Sequence, residues 1–304
     1  MIREEFSFCD MADYLYNNND LLIVGPASED ERSSFFFNEW NSRGKDVLVV
    51  ERVEDEKLHF RYLHNGQVIR DSCIDLCMGT PRLLHYLNVE RKSVLLDMSS
   101  LDHVLIMFLT KQLVQQVVPR GFFASYIRPE QYSSQTGSVG FSLSTQVLAI
   151  EAVPSFAKRE CDKQTLCAFL GFEGVRLKGV LETIHNVDRF IPVVAFPSGS
   201  PQWYNVAMWN SMDILQSECK DPYTYKCSSE SIFEAVDILH RSIQPDEKVV
   251  LAPLGTRPHS MACALFACQH PHTRIIYDYA VECSHRAIGI GEIKLYHLSS
   301  FLRI

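Results

Sequence analysis

The sequence predicts an α/β protein made of two tandemly duplicated Rossmann-like units, with mainly parallel sheets and terminal β-hairpin segments. Three observations carry that expectation. Short β-branched runs alternate with stretches of helical period, and strand–helix–strand order implies a parallel sheet covered on both faces. The second half repeats the element order of the first. The 304 residues suit two domains at roughly 150 residues each, here 1–153 and 154–304.

In the first half, Leu21–Val24 reads as a buried strand ending at Gly25-Pro26. Ser28 to Ser42 reads as a helix, with Ser28 as N-cap and Glu31 at capping-box spacing. Asp46–Val50 is the next strand. Leu58 to Ile69 alternates around Asn65-Gly66, a two-residue hairpin signal. Thr80 to Leu87 predicts a short helix with Pro81 in its first turn. Ser93–Asp97 is a strand leading through Ser99-Ser100 into a helix that ends near Val118. Gly121–Tyr126 follows as a strand, and Ser138 to Val153 as an alternating terminal β segment.

The second half runs in the same order. Leu166–Leu170 is a strand entering Gly171-Phe-Glu-Gly174 and a helix to His185. Phe190–Phe196 is a strand followed by Pro197-Ser-Gly-Ser-Pro201, and Glu230 to Ile243 is a helix. Lys248–Ala252 is a strand before Pro253-Leu-Gly-Thr-Arg-Pro258 and a helix to Cys268. Arg274–Tyr277 is a strand, and Ala287 to Leu298 a final β segment. Corresponding elements, ending with Gly140 and Gly289, lie 144 to 155 residues apart. That near-constant offset suggests duplication.

Composition narrows the function classes. With 46% hydrophobic and 22% charged residues, wholesale disorder is excluded. A net charge of −8 opposes non-specific binding along nucleic acid or on anionic membrane, but not one small anion in a local pocket. The acidic start Met1–Asp10 lacks a signal-peptide pattern, so a cytoplasmic location is expected. The apolar stretch 104–118 is interrupted by Lys111, Gln112, Gln115 and Gln116, as in a buried helix rather than a membrane span. Ten cysteines without a Cys-x-x-Cys pair read as reduced thiols. The tract Cys268-Gln-His270-Pro-His272 reads as a helix end and polar turn, with metal coordination as its alternative. No motif demands a cofactor or a metal. Mg²⁺ held together with ligand phosphates stays open.

In open parallel sheets, ligands bind at the carboxyl ends of strands, where strand order reverses and helix N-termini offer N–H groups. Polar residues gather there. They are Gly25 and Ser28; Asp97, Ser99 and Ser100; Gly171, Glu173, Gly174 and Arg176; Ser198, Gly199, Ser200 and Trp203; and Gly255, Thr256, Arg257 and His259. Arg257 suits a phosphate, and glycine lets backbone approach a ligand. The structural alternative is a strand–helix turn that needs Gly and Thr for geometry, or Ser99 or Ser100 as a helix cap. Glu173 with Arg176 reads as a surface pair or as an acid near a ligand sugar. Trp203 reads as a base-stacking face, and Trp209 as core.

The segment Val249-Val-Leu-Ala-Pro-Leu-Gly-Thr-Arg-Pro-His-Ser-Met261 resembles the strand–turn–helix signature of CRISPR-associated Rossmann-fold (CARF) domains. Leu95-Leu-Asp-Met-Ser-Ser100 resembles their companion polar turn. The likeness covers about 30 residues, and it departs from the family at Pro253-Leu254. It implies a sensor of cyclic oligonucleotides, with two halves flanking the ligand, in prokaryotic antiviral defence.

Three function classes remain at this point. The first is a sensor or accessory protein that binds a nucleotide-like anion between the two halves and acts through a protein partner or effector. The second is a nucleotide- or nucleoside-processing enzyme using Asp97, Glu173 or His259, with His285 as a further acid–base group. The third is a scaffold subunit whose terminal β segments pair with another chain. Gly-x-Ser-x-Gly, His-Glu-x-x-His, the P-loop and the dinucleotide fingerprint are absent from the sequence.

Overall fold

The structure, a computed structural model, describes residues 4–54, 56–132, 144–146, 149–158, 162–218, 223–279, 281–282 and 287–302. It divides the chain into two compact units, one of residues 1–131 with 287–304, the other of 132–286. Both are α/β.

Unit 1 holds β1 (Glu4–Ser7), α1 (Phe8–Asn18), β2 (Leu21–Val24), α2 (Arg32–Ser42), β3 (Asp46–Val53), β4 (Lys57–His64) and β5 (Gln67–Asp75). Then come α3 (Leu76–Tyr86), β6 (Ser93–Asp97), α4 (His103–Lys111) with a π-helical turn over Gln112–Gln116, and β7 (Gly121–Ile127). Strands β3, β2, β6 and β7 are parallel neighbours in that order. Every residue of β2 and β6 is buried, as strands covered by helices on both faces require. Asn65 and Gly66 take positive φ at the tip of the β4–β5 hairpin, the conformation that the Asn-Gly pair predicts.

Two helices of unit 1 differ from expectation. Helix α2 begins at Arg32 rather than Ser28. The Ser28 N–H donates to Ser33 Oγ, and its hydroxyl accepts from the Asp30 N–H, so Ser28 closes a turn ahead of the helix. Helix α3 begins at Leu76 because the Asp75 carboxylate caps the Met78 N–H. Pro81 therefore falls inside the helix. The core of unit 1 centres on Phe36, Trp40, Leu22, Val47 and Leu95, each fully buried large side chain contributing about 1.5–3 kcal/mol.

Unit 2 holds β8 (Ile150–Ala152), β9 (Gln164–Phe169), α5 (Gly174–Thr183), β10 (Val187–Ala195), α6 (Pro201–Glu218) and β11 (Tyr225–Cys227). It closes with α7 (Ile232–Ser242), β12 (Val249–Pro253), α8 (Arg257–Gln269) and β13 (Thr273–Asp278). The sheet order is β11-β10-β9-β12-β13, all parallel, with β8 antiparallel outside β13. In chain order the parallel strands run 3-2-1-4-5, the Rossmann arrangement. Its core gathers Leu166, Ala168, Val180, Val194, Val250 and Ala252.

The boundary expected at residue 153 is not where the chain divides. Strand β8, from the end of the first half, pairs with β13 through Ile150↔Asp278. Strand β14 (Ile293–His297), from the end of the second half, pairs with β7 through Ile293↔Ile127 and with β1 through Glu4↔His297. Each half's terminal segment thus completes the other half's sheet. Of the segment 138–153, only 144–146 and 149–153 are described, and Gly140 and His285 lie outside the described residues.

No helix among the described residues is long and apolar enough to cross a membrane.

Candidate functional site

The strand order locates the switch points. In unit 1, β3 lies on one side of β2 and β6 on the other, so the crevice is at the ends of β2 and β6. Gly25 and the Asp97–Ser100 turn meet there. The contact is too close for a ligand: a methyl group on Gly25 would fall 2.0 Å from the Ser100 carbonyl oxygen. The Gly25 N–H donates to Ser100 Oγ at 2.9 Å.

The remaining polar atoms of this turn are also directed inward. Ser125 Oγ and the Ser99 N–H both donate to Asp97 Oδ1, each at 3.1 Å. Ser99 Oγ accepts the Ile127 N–H at 2.7 Å. Asp97 and Ser99 are buried, and the α4 cap is Asp102 rather than either serine. Asp97, Ser99 and Ser100 therefore tie β2, β6 and β7 together. Asp97 has no solvent exposure from which to serve as an acid or base for a substrate.

In unit 2 the switch point lies between β9 and β12. It brings together the turn Gly171-Phe-Glu-Gly174 and the turn Gly255-Thr-Arg257, both candidate ligand turns by sequence. Here too the glycine following the first strand sits under a carbonyl: a methyl group on Gly171 would fall 2.3 Å from the Leu254 oxygen. Gly255, Thr256 and Arg257 are half-buried at the mouth of α8, with Pro258 beside them in the helix's first turn. Thr256 Oγ1 donates to the Ser229 carbonyl at 2.7 Å, linking this turn to the loop after β11. The unpaired N–H groups of a helix's first turn, with the positive end of its dipole, face such a crevice.

His259 lies beneath this turn. It is fully buried against Phe169. Nε2 lies 2.9 Å from the Ser228 carbonyl, which requires the proton on Nε2 and leaves Nδ1 an acceptor. Nδ1 is buried with no hydrogen-bond partner and lies against Gly255. Burial pushes its pKa down to about 4, partly opposed by the Ser228 carbonyl, so the ring is neutral at pH 7. With no solvent access and one nitrogen committed, His259 is a support for the turn rather than a catalytic acid.

Arg176 is not a ligand-binding arginine. It is buried, and its Nε and Nη2 form a bidentate pair with the two oxygens of Asp278, the last residue of β13. Nη2 also reaches Tyr277 Oη at 3.2 Å and Nη1 the Leu254 carbonyl at 3.4 Å. Burial opposes its charge, but Tyr277 and Asp278 outweigh that and hold it firmly protonated. Glu173 stands 3.9 Å from Nη1, and both side chains are nearly enclosed, so they are not a surface pair. The partner that matters, Asp278, lies 102 residues along the chain; no local signal could have revealed it.

The tryptophans exchange their expected roles. Trp203 is buried under Tyr132 and Phe172, with ring centroids 4.8 and 6.4 Å away, and offers no open face for a base. Trp209, expected in the core, is 64% exposed. Ser198 Oγ donates to the Ser200 carbonyl at 2.6 Å, shaping the turn before α6. Gly199 is exposed in that turn.

Three buried thiols are poor nucleophiles. Burial pushes the Cys167 thiol up to about 12 and raises Cys227 and Cys263 as well, so thiolate is negligible at pH 7. His270 stacks on Phe266 at 3.8 Å, and its Nδ1 bonds the Phe266 carbonyl, closing the end of α8. Among the described residues no group of three or more His, Cys, Asp or Glu is placed to hold a metal ion.

Comparison with protein-family models, with curated proteins and with solved structures found no match.

Proposed function

We propose that unit 2 binds a nucleotide-like anion at the carboxyl ends of β9 and β12, with Gly255, Thr256 and Arg257 as its phosphate-facing turn. The observation that carries this reading is the strand order. The chain reverses direction across the sheet at the two turns whose residue types suit a phosphate. Arg257, half-buried, is the first residue of α8. The roles of sensor and of accessory to antiviral defence rest on the resemblance of residues 249–261 to CARF domains and belong to the same reading.

The test is equilibrium binding of mono-, di- and cyclic nucleotides to the full chain, with mass spectrometry of any ligand released from gently purified protein. Saturable binding that Arg257→Ala weakens at least tenfold is expected. No saturable binding at millimolar nucleotide, or an Arg257→Ala variant that binds like the parent, overturns the reading.

A further inference from the structure

A second surface, in unit 1, is built for a different occupant. Strand β5 ends the eight-stranded sheet, and among the described residues no strand pairs with its outer side. The edge is nine residues long; it is bulged once, at Ile69, and runs in unbroken register with β4 from Arg70 to Asp75, and Val68 and Ile69 are 55% and 57% exposed. Sheet edges of this kind are normally short, bulged or covered, because their unpaired backbone groups accept another strand.

Behind the edge lies a depression of about 350 Å³ between β4, β5 and α3. Its apolar lining includes Phe60, Met78 and Tyr86, the last two 66% and 62% exposed. Two arginines line the same depression, Arg70 and Arg82. The Arg70 guanidinium lies 5.8 Å from the Phe60 ring centroid and 5.2 Å from that of Tyr86. Contacts of this kind orient the cation and leave its N–H edge for a carboxylate. Neither arginine forms an ion pair with a described residue. The one carboxylate in the lining, Asp75, accepts the Met78 N–H at 2.6 Å as the cap of α3.

We propose that the free edge of β5 and this groove dock an extended segment of a partner protein that alternates apolar and acidic residues. The segment adds to the sheet as a further strand. Backbone hydrogen bonds to β5 supply register-independent affinity, and alternate side chains meet the groove. An acidic side chain reaches Arg70 and Arg82, while its apolar neighbour on the same face lies on Met78 and Tyr86.

A second copy of this chain fits the edge poorly. Two-fold pairing of β5 keeps each side chain on its own face. Full overlap then sets Asp71 opposite its own copy, and a shift of the centre by one residue toward Gln67 does the same to Arg70; only the shift toward Asp75, centred on Ser72, avoids both. Like charges directly opposite are destabilising.

The experiment selects binders from a random dodecapeptide phage library on the full-length protein. The strongest binders are then synthesised for fluorescence anisotropy and hydrogen exchange. Enriched peptides are expected to alternate apolar and acidic residues and to protect β5 amides. The Arg70→Glu/Arg82→Glu variant should lose at least tenfold in affinity. Because both side chains are exposed, that variant should keep its fold. Replacing the peptide's acids by Lys should restore binding to the variant, an exchange that misfolding cannot mimic. The proposal is overturned by the absence of enrichment, by enriched peptides without acids, by equal binding to the variant, by protection elsewhere than β5, or by dimerisation through β5.

Discussion

Units 1 and 2 solve one problem twice and differ in what they leave over. In each, an arginine in the first turn of the helix after the first strand is buried beneath the strand ends. Arg32 Nη1 donates to the carbonyl of Ile127, the last residue of β7. Arg176 clamps Asp278, the last residue of β13. In each, a glycine after one central strand lies under a carbonyl of the turn that follows the neighbouring strand, Gly25 after β2 under Ser100 after β6 and Gly171 after β9 under Leu254 after β12. The difference lies in the side chains that fill the crevice. Unit 1 spends Asp97, Ser99 and Ser100 on its own backbone. Unit 2 places Gly255, Thr256 and Arg257 half-buried at the mouth of α8. A polar turn at a strand end is thus a candidate site only when its residues are not buried within the sheet, as Asp97 and Ser99 are and Gly255 to Arg257 are not.

The largest test of this comparison breaks the two arginine clamps. Asp278→Ala leaves a buried guanidinium without its main counter-charge and should cost about 3–5 kcal/mol in unit 2. Asp30, which pairs with Arg32 at 2.5 Å, is 21% exposed; Asp30→Ala should cost less, about 1.5–3 kcal/mol, in unit 1. Amide hydrogen exchange resolved by unit measures both. Equal losses in the two units would show that the clamps are equivalent.

Acid titration sharpens the contrast next. The His259 pKa falls from an ordinary 6.5 to about 4 on folding. The unfolded chain therefore binds a proton more readily between those values. Stability present at pH 7 is lost as pH drops from about 6.5 to 4, by roughly 3 kcal/mol. His259→Phe should flatten this limb in unit 2. Unit 1 carries Asp46 instead. Burial works to raise its pKa, but hydrogen bonds from Lys92, His64 and Tyr62 hold it below the ordinary value. Its contribution is present above the unfolded carboxylate's pKa and is lost only as pH falls below roughly 4. Unit-resolved exchange between pH 7 and 3 should show unit 2 loosening first; simultaneous loosening would contradict the assignment.

The smallest effect comes from the paired glycines. Gly25→Ala and Gly171→Ala each push a methyl into a backbone carbonyl, an overpacking of typically about 1–3 kcal/mol. Thermal melts of the two variants should shift by similar amounts. A neutral outcome at either site would mean that its two turns separate readily.

Much of this layout was legible from local sequence. Buried runs such as Leu21–Val24 and Leu166–Leu170 declare strands, and Asn65-Gly66 declares its hairpin. The turns at 97–100 and 255–257 were found, but not which of them is sealed, because that depends on partners such as Gly25 and Ile127 brought by the sheet. Helix α6 has no local signature: it mixes Trp, Tyr, Asn and Met without a clean apolar stripe. Strand β1 and helix α1 are also not legible, since β1 is short and, among the described residues, pairs with β14 alone, about 290 residues away. The exchange of β8 and β14 left no local trace at all. Alternation marks a strand but not its neighbour.

That exchange sets an order of events during synthesis. Unit 2 is drawn from one continuous stretch, 132–286. The sheet of unit 1 needs β14, whose ladder joins Glu4–Ser7 to residues 294–297. A ribosome releases the second unit's parts before it releases the strand that the first unit awaits. Chain segments separated by nearly the full length also close slowly. The earlier-made unit is therefore expected to be the later one to finish, with the β7 edge bare until the last strand emerges.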